Sequence, residues 1–109
     1  MGFVKVAVTT EVSVGTAKKV VAGGKDILLS NIDGSYYAIS NTCPHMGGSL
    51  SEGTLEGGVI TCPRHGSKFD VKTGKVVANG KLFFISFKVK DDQSYLVKLE
   101  GNNILVEVE

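Results

Sequence analysis

The sequence predicts an all-β fold: a base of antiparallel strands carrying a smaller inserted lobe, roughly residues 41–77. Three observations support that expectation. Short β-branched runs succeed one another along the chain, fourteen glycines break them at turn-like intervals, and no window holds an amphipathic helical period.

The elements follow in order. Phe3 to Val8 alternates as a first strand, and Lys18 to Ala22 forms a second that ends at the turn Gly23-Gly24-Lys25. Asp26 to Ile32 and Tyr36 to Ile39 flank Asp33-Gly34-Ser35, a second strong turn signal. A long loop, about Asn41 to Gly53, precedes the Gly57-Gly58 turn and the short strand Val59-Ile60-Thr61. Phe69-Asp70-Val71 and Val76-Val77 flank a tight turn at Lys72 to Lys75, and Asn79-Gly80 turns the chain again. Leu82 to Lys90, Tyr95 to Glu100 and Ile104 to Val108 are expected as a closing meander.

A length of 109 residues suits a single domain spanning 1–109, and 42% hydrophobic content with two prolines suits an ordinary packed chain. Twelve basic against eleven acidic residues give no argument for nucleic acid or an anionic membrane as partner. No apolar run approaches the ~20 residues of a membrane-spanning helix, so no membrane anchor is expected. Met1 to Val6 lacks the basic and apolar regions of a signal peptide.

The chemistry is concentrated in two runs, Cys43-Pro44-His45-Met46-Gly47-Gly48 and Cys62-Pro63-Arg64-His65-Gly66-Ser67. They hold both cysteines and both histidines of the chain. Four thiolate and imidazole donors in two similar loops read as a metal site made of Cys43, His45, Cys62 and His65. Structural zinc sites usually take like pairs from each knuckle, whereas here each run contributes one of each kind. A two-iron cluster explains the split, because each run can send its Cys to one iron and its His to the other. A zinc-binding knuckle pair is the alternative.

The paired pattern C-P-H-M-G-G and C-P-R-H-G-S resembles the Rieske [2Fe–2S] family, and Lys68 to Val76 resembles its continuation in the Rieske-type ferredoxins. The resemblance implies stacked antiparallel sheets with one cluster at the tip of the small lobe. It implies two thiolates on one iron and two imidazoles on the other, with potentials of about −150 to +300 mV against about −400 mV for all-Cys plant-type clusters. Gly47, Gly48 and Gly66 would let loop amides face the sulfides, and Ser67 stands where high-potential members place a hydroxyl donor. Phe69 stands where those members have Tyr. Gly48 and Arg64 occupy the positions of the disulfide cysteines of cytochrome bc-type proteins, so that bridge is absent. Ala78-Asn79-Gly80 replaces the family's Pro-containing loop. These departures imply a potential in the lower or middle part of the range. Pro44 and Pro63 would stiffen the loops, and Met46 would cover the site as a hydrophobic side chain.

With both cysteines committed to the cluster, a reducing, cytoplasmic setting is expected. Arg64, Lys68, Lys72 and Lys75 read as a solvated basic face, with docking of an acidic partner as the alternative. The expected function is a soluble one-electron carrier between a reductase and a terminal oxidoreductase. A small subunit permanently attached to a larger reductase or oxygenase is the second reading. The chain is too short for an oxygenase catalytic subunit and has no donors left for a mononuclear iron, so catalysis by it is not expected.

Overall fold

The computed structural model describes residues 2–44, 48–64, 66–78 and 91–108, with the backbone of 81–82 and 85–86. The architecture is β throughout, and among the described residues the helical turns are two short 3-10 segments, Thr9–Glu11 and Leu50–Glu52.

Among the described residues, thirteen strands form four antiparallel sheets. Strands β1 (Gly2–Val8), β2 (Thr16–Ala22), β3 (Lys25–Ile32) and β4 (Ser35–Ser40) lead into a lobe of β5 (Thr54–Glu56), β6 (Val59–Thr61), β7 (Lys68–Asp70) and β8 (Val76–Ala78). After β9 (Lys81–Leu82) and β10 (Ile85–Ser86), the chain closes with β11 (Ser94–Tyr95), β12 (Val97–Glu100) and β13 (Asn103–Val108). The sheet orders are β1-β13-β12, β11-β4-β3-β2, β5-β6-β7-β8 and β9-β10.

Turn chemistry sets the registers. Ala22 pairs with Lys25, Ile32 with Ser35 and Glu56 with Val59, so each of these hairpins closes over two residues. All the residues in the three turns, Gly23-Gly24, Asp33-Gly34 and Gly57-Gly58, have positive φ. That left-handed pair matches the right-handed twist of the strands it joins, which is why glycine dominates there.

The sheet containing β3 is packed on both faces, and β3 shows why. Ile27 and Leu29 join Val20, Ala22, Ala38, Ile104, Val106 and Val108 in one core, against the β1-β13-β12 sheet. Leu28 joins Ile39, Leu50, Ile60, Phe69, Val71, Cys43 and Cys62 in a second, against the lobe. Successive strand residues point to opposite faces, so the apolar run Ile27-Leu28-Leu29 supplies both cores. The result is three stacked layers with the lobe on one side.

The closing meander needs correction. Residues 82–90 do not form one strand, since β9 and β10 pair with each other as separate short strands; residues 83–84 and 87–90 and the Asn79-Gly80 turn lie outside the described residues. The stretch from Tyr95 to Glu100 is also divided. Ser94–Tyr95 pairs with β4, whereas Val97–Glu100 pairs with β13, so the chain changes sheets at Leu96. Strand β5, absent from the sequence reading, lies within the lobe.

Candidate metal centre

The two cysteine loops are built alike. Thr42 bridges Ser49 around the first, and Thr61 pairs with Lys68 around the second. Inside each, the cysteine amide donates to the carbonyl of the sixth residue, Cys43 to Gly48 and Cys62 to Ser67, both at 2.7 Å. Each cysteine therefore stands first in a loop shut by main-chain atoms at the end of an antiparallel pair. In the second loop Gly66 also donates to the Cys62 carbonyl at 3.2 Å, with a φ of +79° that suits glycine.

The first loop is seated by Asn41, itself buried. Its amide nitrogen Nδ2 donates to Ser49 Oγ at 2.8 Å, and its Oδ1 accepts from the Ser51 amide at 2.8 Å. The Asn41 backbone donates to Asp26 at 3.0 Å and accepts from Leu50 at 2.8 Å. Asn41 thus grips the far end of the loop with its side chain and carbonyl while its backbone N–H ties the near end to β3. The second loop is held through Gly53, where a Cβ would run into the Thr61 carbonyl just ahead of Cys62.

Cys43 and Cys62 are each 2% exposed, form no disulfide and belong to the same hydrophobic cluster as Phe69 and Leu50. Gly48 is buried, and a Cβ built on it would stand 3.1 Å from Cys62 Sγ, so the first loop passes directly beside the second loop's sulfur. Ser67 is 1% exposed and Phe69 fully buried, while Pro44 and Pro63 lie on the surface. His45, Met46, Gly47 and His65 lie outside the described residues.

The lobe's cations, Arg64, Lys68, Lys72 and Lys75, are all exposed. Lys68 Nζ donates to Thr61 Oγ1 at 3.3 Å, and Lys72 Nζ stands 5.8 Å from the Tyr37 ring centroid. Among the described residues the salt bridges, Lys18 with Glu11 and Lys98 with Glu100, both lie outside the lobe.

The family model of the Rieske [2Fe-2S] domain matches residues 2–83. The chain belongs to the Rieske family. This Rieske chain is 33% identical to the ferredoxin component of biphenyl 2,3-dioxygenase from Rhodococcus jostii (strain RHA1), across all of its own length and 95% of the relative's. The ferredoxin of carbazole 1,9a-dioxygenase from Nocardioides aromaticivorans IC177 superposes with a TM-score of 0.85 at 28% identity, each chain covered completely. A solved complex of reduced oxygenase and oxidized ferredoxin in carbazole 1,9a-dioxygenase contains a chain with a TM-score of 0.80 and 28% identity, covering 98% of this chain and 97% of that one.

The cofactor is therefore a Rieske-type [2Fe–2S] cluster, and the role is electron transfer as a ferredoxin component, not catalysis. The zinc alternative gives way to the family match. The donor chemistry fits the cluster: two buried thiols free of any disulfide open matching loops, and a glycine keeps side-chain bulk away from one of the sulfurs. Sequence reading found the cysteines but missed Asn41 and the identical loop closures. The Thr-Cys-Pro triplet that begins at both Thr42 and Thr61 was the available signal.

Proposed function

We propose that Cys43 and Cys62, as thiolates, hold one iron and His45 and His65, as imidazoles, hold the other. The observation that carries this is the pair of twin loops, each shut by its own cysteine amide and each containing one of the two histidines in the chain. When bound, the cluster takes up and returns a single electron. The protein's own residues keep water from the sulfurs, as the burial of Cys43 and Cys62 indicates, and orient the loops through Asn41 and Gly53. Ser67, buried at the foot of the second loop, serves as hydroxyl donor toward the cluster. Gly47, Gly48 and Gly66 give loop amides access to it.

The electron partners in this reading are a reductase and a terminal oxygenase, supported by ferredoxin relatives from dioxygenase systems and by a structural neighbour taken from an oxygenase–ferredoxin complex. The whole chain, 1–109, acts as one folding unit, with both cores meeting on β3. A cytoplasmic setting accords with two unbridged cysteines.

The decisive experiment is electron paramagnetic resonance of the dithionite-reduced protein, joined to iron and sulfide analysis. A rhombic signal of low average g with two irons per chain is expected, and separate replacement of His45 and His65 by Ala should abolish it. A signal that survives either histidine substitution refutes the ligand assignment. Partner identity is tested by mixing the reduced protein with a terminal oxygenase and following reoxidation in a stopped-flow instrument. Reoxidation no faster than in buffer refutes that partner.

A further inference from the structure

Two glycines of the cysteine loops are glycine for opposite reasons. Gly66 has a left-handed φ and open space where a Cβ would be. Gly48 is not among the glycines with positive φ, yet a Cβ there would stand 2.8 Å from Arg64 Cγ, 2.9 Å from Arg64 Cδ and 3.1 Å from Cys62 Sγ. Backbone freedom does not explain Gly48. The room it leaves is filled by the aliphatic stem of Arg64, which crosses from the second loop to lie against the first.

Gly48 is also the residue whose carbonyl closes the Cys43 loop, so the stem lies beside the latch of one loop, on the side where that loop passes the sulfur that opens the other. Arg64 as a whole is exposed whereas the neighbouring Gly48 and Cys62 are buried, as when a long cationic side chain lays its aliphatic stem along apolar surface.

We propose that Arg64 is a positioning residue whose stem straps the two cluster loops together across Gly48 and roofs the Cys62 sulfur. The inference rests on the cluster being held at Cys62, as proposed above. Two properties follow. The strap slows escape of the cluster, because both loops must part for it to leave. It also keeps water from the Cys62 side. A cluster carrying two thiolates and two neutral imidazoles gains a negative charge on reduction, and desolvation disfavours that charged form, so opening the roof raises the midpoint potential.

The test uses the cluster-loaded protein and four variants, R64S, R64M, G48A and the double variant G48A/R64S. The readouts are the rate at which visible absorbance is lost to excess chelator and the midpoint potential by protein-film voltammetry. R64M keeps an unbranched stem without the charge, and its loss rate is expected within about twofold of the parent. R64S removes the stem and G48A displaces it, and each is expected to speed cluster loss at least about threefold. G48A, which retains the cation, is expected to raise the midpoint. The double variant should release its cluster no faster than the faster single variant, since one strap can be lost only once.

An R64S protein that keeps the parent's loss rate overturns the proposal, as does a double variant whose effect is the product of the two single ones. R64M losing its cluster as fast as R64S also overturns it, because the charge and not the stem would then matter. If G48A fails to load, the comparison of R64M with R64S decides. A parent protein without a Rieske resonance signal would instead refute the ligand assignment, a separate result.

Discussion

Asp92 offers the sharpest test of how the lobe is fastened to the base. Its amide donates to the Gly74 carbonyl at 2.7 Å in the lobe, while the next residue's carbonyl accepts from Ser40 at 2.8 Å in the base. Asp92 is 7% exposed; Oδ1 accepts from the Gln93 amide at 3.0 Å, and Oδ2 has no hydrogen-bond partner among the described residues. Burial, only partly offset by the Gln93 hydrogen bond, pushes its pKa from the ordinary 3.8 to about 7. The folded state thus holds this proton more tightly than the unfolded chain does. Stability from that preference is complete below about pH 3.8 and is lost as pH rises through about 7. At about 1.36 kcal/mol per pH unit the ceiling is about 4 kcal/mol, and residual contact with water lowers it to about 2 kcal/mol. Asp92→Asn, which cannot ionise, should therefore become more stable than the parent by about 2 kcal/mol as pH rises from about 4.5 to about 8.5. Urea unfolding of both proteins across that range measures the difference and cancels titrations they share. The Tyr95 pKa, raised first by burial and then by the Asp92 charge, should fall in the variant when its absorbance is titrated. A stability difference that stays flat with pH would refute the reasoning.

Other substitutions probe the remaining contacts. Ser67→Ala should lower the midpoint potential by about 40–60 mV, the equivalent of roughly 1 kcal/mol for one hydrogen bond favouring the reduced form, and an unchanged midpoint would remove Ser67 from the donor set. Gly74→Ala combines a φ of +78° with a Cβ driven into the Asp92 carbonyl, and should cost more than about 2 kcal/mol in urea unfolding. Asn41→Ala strips two side-chain hydrogen bonds from a buried site and should cost about 2–3 kcal/mol, with faster cluster loss to chelator; parent-like values would show that the loop seats itself without Asn41.

What could be read from the sequence was what is encoded locally. Gly23-Gly24, Asp33-Gly34 and Gly57-Gly58 announced their hairpins because two-residue turns need left-handed backbone, which few residues tolerate. The cysteines stood out because no other cysteine or histidine in the chain competes with the two runs. Strand β5 was missed because Thr54-Leu55-Glu56 offers one apolar residue and no alternation long enough to count. The change of sheet at Leu96 was invisible for a different reason: Tyr95 and Val97 look like one alternating strand, and only competition between β4 and β13 for partners divides them. Asp91-Asp92-Gln93 reads as an exposed polar turn, yet Gly74 packs against its backbone and the middle residue is buried. Asn41 likewise looks like an ordinary loop residue until Ser49 and Ser51 fold back onto it.

The closure of both loops through peptide groups alone has an evolutionary corollary. Because the Gly48 and Ser67 carbonyls do the latching, peptide groups set how each loop closes, and Asn41 is the side chain that seats the first. Side chains that take no part in the latches, Ser67 Oγ among them, can be exchanged to retune redox behaviour while that closure persists. Divergence in midpoint among descendants of such a chain would then begin at these few positions, leaving the strands beneath untouched.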